Sequence, residues 1–213
     1  TTLHAAVLAG SKPVAELLIS NGADVNARDT EGVSVLFYAT GKGYSEIVDL
    51  LIANGANPDK VLWGAILGGH NDIAERLLSA GADVQSVGDS GALHVAALKN
   101  NLDGARLLIR HGVPVDARWL GRTPLHYAIT DGRTEFCQLM IEQGADVNAR
   151  NKWNWTPLHT ACEHNYSDKV EILLANGADV KARNEDGNTP LAVARAAGHA
   201  ELVTLLRKHG ANE

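Results

Sequence analysis

Nine histidines and two cysteines are the residues of this 213-residue chain that could ligate a metal or attack a substrate. Their spacing favours neither. No two histidines form an i, i+4 pair with a carboxylate partner, the arrangement that presents two imidazoles to a zinc ion from one helix face. Cys137 and Cys162 fall outside metal-type spacing. No base is set beside either thiol by local spacing, so both read as buried, inert thiols. Gly41-Lys42-Gly43 looks like a fragment of a phosphate loop but lacks the Gly-Lys-Ser/Thr ending. Asp24, Asp83, Asp146 and Asp179 recur singly, without the paired carboxylates of acid–base chemistry. No enzyme, metal or cofactor is expected.

The concentrated chemistry is aromatic and cationic. Aromatic residues make up 5% of the chain, yet Trp119, Trp153 and Trp155 stand close to Arg118, Leu120, Arg122, Arg150 and Lys152. No acidic residue occurs from Ala117 to Thr130 or from Val147 to Cys162, in a chain of net charge −6. Trp and Arg dominate interaction hot spots, and clustered exposed apolar area marks interfaces. The bland alternative is that the indoles only brace neighbouring loops. The overall acidity disfavours nucleic acid. No apolar run approaches about 18 residues, so no membrane span is expected. Two cysteines form no disulfide framework, and an intracellular, cytoplasmic location is expected. The chain shows no signal peptide and no initiator Met, opening at Thr1 already inside a repeat. It reads as a trimmed piece of something longer or as a processed chain.

The elements that position these residues are repeats. Gly22, Gly55, Gly81, Gly112, Gly144, Gly177 and Gly210 punctuate the chain about every 33 residues, with shorter intervals after Gly55 and Gly81. In one unit, Thr123 and Pro124 suit a helix N-terminus. Leu125, Ala128 and Ile129 give its apolar face. Asp131-Gly132 turns the chain, and a second helix carries Phe136, Leu139, Met140 and Ile141. Gly144 suits a left-handed helix stop, and an extended segment runs on to Thr156. Residues 123–128 and 156–161 read Thr-Pro-Leu-His-x-Ala, with degraded copies at 1–6, 34–39, 60–65, 91–96 and 189–194.

The chain thus resembles the ankyrin repeat family over essentially its whole length. The resemblance implies an all-α solenoid of stacked antiparallel helix pairs with projecting β-hairpin fingers. It implies one domain, 1–213, of seven units at about 1–28, 29–58, 59–86, 87–117, 118–149, 150–182 and 183–213, the first lacking its finger. The finger before Val61-Leu62-Trp63 is seven residues short and the one around residues 87–90 two short, which predicts a notch with Trp63, in the motif-histidine place, packed into it. Ala192 replaces the last motif histidine, and Arg195, Lys208 and His209 suit an outer capping unit.

In this family the histidine of the motif, here His4, His94, His126 and His159, hydrogen-bonds loop backbone and ties units together. His70 and His199 also fall at family positions. His111 and His209 sit near helix C-termini, where a cation is favoured, and His164 lies off the motif. Lys152, Trp153 and Trp155 land on finger positions that vary freely and point at partners, beside Trp119, Leu120 and Arg122. First-helix residues Tyr127, Thr130, Asp131, Glu163 and His164 should floor the groove, with Tyr38, Lys42 and Lys99 as further candidates. The expected function is a monomeric interaction module whose fingers and concave inner helices grip a protein or peptide with acidic and apolar groups. A second possibility is a nucleotide-like ligand stacked on Trp155 with Arg122 on its phosphates, although Asn184-Glu185-Asp186 would repel phosphate. A third is asparaginyl hydroxylation at Asn26 and Asn148, against the simpler role of stabilising finger turns. The irregular fingers argue against an engineered binder, which uses uniform units.

Overall fold

The computed structural model of the chain describes residues 1–84 and 91–212. The shortened finger around residues 87–90 lies outside the described residues. The chain divides into two compact units: Thr1–Ala96 with Asp103–Val113, and Ala97–Leu102 with Pro114–Glu213.

Every ordered element among the described residues is a short helix. In the first unit α1 (Thr2–Leu8) packs on α2 (Lys12–Ser20) and on α3 (Val35–Lys42). Helix α3 packs in turn on α4 (Ser45–Ala53) and on α5 (Leu62–Gly68), and α5 packs on α6 (Asn71–Ser79). Helices α7 (Ala92–Lys99) and α8 (Leu102–Arg110) each contribute residues to both units. The second unit repeats the plan. Helix α9 (Pro124–Thr130) packs on α10 (Thr134–Glu142) and α11 (Pro157–Glu163), while α11 packs on α12 (Ser167–Ala175) and α13 (Pro190–Ala196). Helix α14 (Ala200–Lys208) packs on α13. Each unit is therefore a row of helix pairs, first helix against first helix.

The seven periodic glycines are what ends the second helix of each pair. All have φ between 83° and 91°, the left-handed region. At Gly144 the chain closes a Schellman motif: Gly144 N–H donates to Ile141 O at 3.0 Å and Ala145 N–H to Met140 O at 2.9 Å. The same pair of bonds recurs at the other six. A Cβ at such a φ is strained, which is why glycine keeps the period. The core between paired helices is apolar, with Leu125, Ile129, Phe136 and Met140 fully buried in the second unit.

The fingers are tight chain reversals between successive pairs. Among the described residues they carry no ladder, only two isolated bridges, Arg28 with Ser34 and Trp119 with Arg122. They are turns held by side chains. Asn151 Oδ1 accepts from the N–H of Trp153 and of Trp155 at 2.9 and 3.0 Å. Asn184 Oδ1 accepts in the same way from Asp186 and Asn188, and Asp29 Oδ1 from Glu31 and Val33. No helix of the described residues is long and apolar enough to cross a membrane.

Candidate functional site

The motif histidines set the fingers. His126 lies at the start of α9, almost fully buried. Its Nε2–H donates to Trp155 O at 3.1 Å, while Nδ1 accepts from Thr123 N–H at 3.4 Å and from the Thr123 hydroxyl at 2.8 Å. Those partners fix a neutral ring, and burial lowers its pKa to about 4. His159 makes the matching bond to Asn188 O at 3.0 Å, and burial lowers its pKa too. In the first unit His4 reaches Val33 O at 3.1 Å. Trp155 is thus anchored through its own carbonyl by the helix of the preceding pair.

A second tie runs through arginines. Arg118 Nη1 donates to Arg150 O at 2.7 Å, and Arg150 Nη1 donates to Arg183 O at 2.7 Å. Arg28 and Arg183 also donate to carbonyls in their own turns. The recurrent Ala-Arg pair at 27–28, 117–118, 149–150 and 182–183 was the available signal for this ladder. Two of the basic residues in the sequence patch, Arg118 and Arg150, therefore serve as struts.

The three tryptophans have different environments. Trp119 is half-buried and stacked on Tyr127, with ring centres 5.7 Å apart and planes 28° from parallel. Trp155 is half-buried and tilted against His159 at 5.8 Å. Trp153 is 37% exposed. The Arg122 guanidinium lies 5.2 Å and Lys152 Nζ 4.3 Å from the Trp153 ring centre, and Arg122 also stands 5.9 Å from that of Tyr127. Leu120, at the tip of the preceding finger, is 68% exposed with φ of 51°. Cation–aromatic and apolar surface meet here on one face.

Beside Trp153 opens a cleft of about 290 Å³. Of the residues expected at the site, Arg122, Thr130, Trp153, Trp155, Glu163 and His164 line it. Trp119, Leu120, Tyr127, Asp131 and Lys152 do not. Tyr127 is covered by Trp119, and Asp131 is the exposed C-cap of α9. The cleft also takes Asn151, Thr160 and Glu185, which the sequence reading left out of the site. Thr160 sits in α11 at the register position that Tyr127 holds in α9, and this smaller side chain leaves the space.

The notch is present in the first unit. A cleft of about 330 Å³ is lined by Arg28, Phe37, Asp59, Lys60 and Trp63, among others. Trp63 is half-buried against Phe37, ring centres 5.0 Å apart. Tyr38 is tied down, its hydroxyl donating to Asp29 Oδ2 at 2.7 Å, and that bond lowers the Asp29 pKa.

The asparagine and cysteine candidates are structurally engaged or buried. Asn26 Nδ2 donates to Gly55 O at 3.0 Å and its Oδ1 accepts from Asn57 N–H at 2.8 Å. Asn148 repeats this with Gly177 and Asp179. Burial pushes both thiols, Cys137 and Cys162, up to about 12, so neither is present as thiolate at neutral pH.

Comparison with known proteins agrees along the chain. The family model for ankyrin repeats in three copies matches residues 1–61 and 62–151. A many-copy ankyrin model matches 140–194, and a single-repeat model 186–213. An ankyrin repeat protein of Acanthamoeba polyphaga mimivirus is 32% identical over 162 residues, 67% of this chain and 21% of that protein. Matches of this kind span between 15% and 34% of the length of the curated relatives. Among solved structures, the human ASB11 ankyrin repeat domain superposes with a TM-score of 0.85 at 28% identity, covering 100% of this chain and 99% of that one. The ankyrin repeat domain of Bcl-3, a member of the IkappaB protein family, gives 0.83 at 27%, covering 97% and 98%.

Proposed function

The chain belongs to the ankyrin repeat family, and on that premise we propose that it is a non-enzymatic interaction module that grips a protein or peptide through the fingers around Trp153. The carrying observation is the exposed Trp153 ring with Arg122 and Lys152 set over it. An aromatic–cation cluster of this kind is the usual composition of a hot spot. The exposed Leu120 adds an apolar contact at the neighbouring tip. A partner with acidic and apolar groups complements this face, and the two free, buried cysteines suit an intracellular setting.

A nucleotide on Trp155 has weaker support, because Glu163 and Glu185 line the same cleft and oppose phosphate. Hydroxylation of Asn26 and Asn148 has weaker support too, since both carboxamides already bridge to the next unit.

The test is capture from cell lysate by the parent chain, by Trp153→Ala with Arg122→Ala, and by Trp63→Ala, with folding checked by circular dichroism. A partner lost only by the first variant supports the site. A partner lost only by Trp63→Ala moves the site to the notch.

A further inference from the structure

The cleft beside Trp153 has a chemistry that the cations do not explain. Glu163 and Glu185 line it together with the two indoles of Trp153 and Trp155, and so do Arg122 and His164. Thr160 lines it as well, and is only 7% exposed. Its hydroxyl has no hydrogen-bond partner among the described residues, whereas the Thr130 hydroxyl donates to His126 O at 2.9 Å. The residue is nearly buried but its hydroxyl is not one of the buried unpartnered polar atoms, so it opens on the cleft and can bond an incoming group. The His164 ring stands beside Glu163, Nε2 lying 3.9 Å from a carboxylate oxygen.

We infer that this cleft seats the guanidinium of an arginine side chain of the partner peptide, which makes the partner bipolar. The inference rests on the reading that the partner docks on this face. A guanidinium is a flat cation with five donors and no acceptor. Two carboxylates and a hydroxyl are acceptors for those donors, and an indole wall accepts its face. The Trp153 ring already carries Arg122 and Lys152, so the incoming cation packs against Trp155. Arg122 and Lys152 then meet an acidic neighbour of that arginine. Arg122 lines the cleft beside the two carboxylates, so pairing of the peptide's acidic neighbour with Arg122 would set peptide direction.

The experiment is a titration of the full chain, followed by NMR at backbone amides and indole N–H groups, with three capped tripeptides: Ala-Arg-Ala, the same with citrulline for arginine, and Ala-Asp-Ala. The arginine peptide is expected to move Trp155, Thr160, Glu163 and Glu185. Citrulline keeps the shape and removes the charge, and should bind about tenfold more weakly, the loss of one charge-assisted contact. Glu163→Gln with Glu185→Gln, both on exposed side chains, should reproduce that loss for the arginine peptide. Equal shifts by the citrulline peptide, or an unchanged titration of the double variant, overturn the inference. An aspartate peptide that moves Arg122, Lys152 and Trp153, with no response of the cleft to arginine, also overturns it while leaving the docking face intact. Silence of every finger signal to all three peptides counts against both readings.

Discussion

A single histidine shows how this chain spends burial on geometry. His126 is neutral because Thr123 donates to Nδ1 and the ring donates to Trp155 O. Its pKa falls to about 4, from an ordinary value of 6.5. Between those values the unfolded chain binds a proton that the folded chain refuses, so stability falls as pH falls. The contribution is whole above about pH 6.5 and is lost as the pH drops toward 4. At about 1.4 kcal/mol per pH unit it is worth roughly 3 kcal/mol when complete. His159 is shifted in the same direction and adds to the slope. Urea midpoints at pH 7 and pH 4.5 check this in the parent and in His126→Gln. The parent should lose clearly more stability across that interval than the variant. Equal losses would show that other groups govern the acid limb. The N-terminus of α9 should loosen first, since a protonated Nδ1 can no longer accept from Thr123 N–H, whereas Nε2–H still donates to Trp155 O.

At the scale of elements the fingers decide the site, and they are where sequence reasoning ran short. The helix pairs were legible because each stop needs glycine and each start in the second unit carries Thr-Pro. Finger register was not. The segment from Gly112 to Thr123 is one residue shorter than that from Gly144 to Thr156. Trp119 therefore stands where Asn151 stands in the next finger, and bonds reciprocally with Arg122 backbone at 3.0 Å in both directions. That register turns Trp119 down onto Tyr127 and leaves Trp153 outward, a difference that counting back from the helix start could not reveal. The same short turn forces Leu120 to a φ of 51°. A leucine there costs about 1–2 kcal/mol, whereas asparagine visits this region readily. The neighbouring finger places Asn154 at 58°. Such strain on an exposed apolar residue is often retained at binding sites. Leu120→Asn is predicted to raise stability by about 1 kcal/mol and to weaken capture of the partner. Thermal melts and the capture assay read the two effects separately. A variant that is both less stable and equally competent would remove Leu120 from the site.

At the scale of the molecule the two units are unequally tied together internally. In the second unit, α9, α11 and α13 all start at Thr-Pro, His126 and His159 bridge to the following fingers, and Arg118 and Arg150 form a carbonyl ladder. In the first unit, α5 starts at Val61 without a side-chain cap, and a missing cap costs about 1 kcal/mol. Its first helix pair exposes Leu8, Val14 and Leu17, although Ile47, which holds in α4 the place of Val14 in α2, is 2% exposed. Stability in a repeat array is close to a sum of unit and neighbour terms, so cooperativity breaks where those terms are weakest. The first unit should therefore unfold at lower urea than the second. The probes for this are built in. Trp63 lies in the first unit, whereas Trp119, Trp153 and Trp155 lie in the second, and helical circular dichroism reports on both. Ellipticity is expected to begin falling before the bulk of the tryptophan emission shifts, which is the signature of unfolding that is not two-state. Removing Trp63 by Trp63→Phe should sharpen the separation by deleting the early part of the fluorescence change. Superimposable curves from the two probes, in parent and variant alike, would mean that the array melts as one body and that the differences in capping and bridging are too small to divide it.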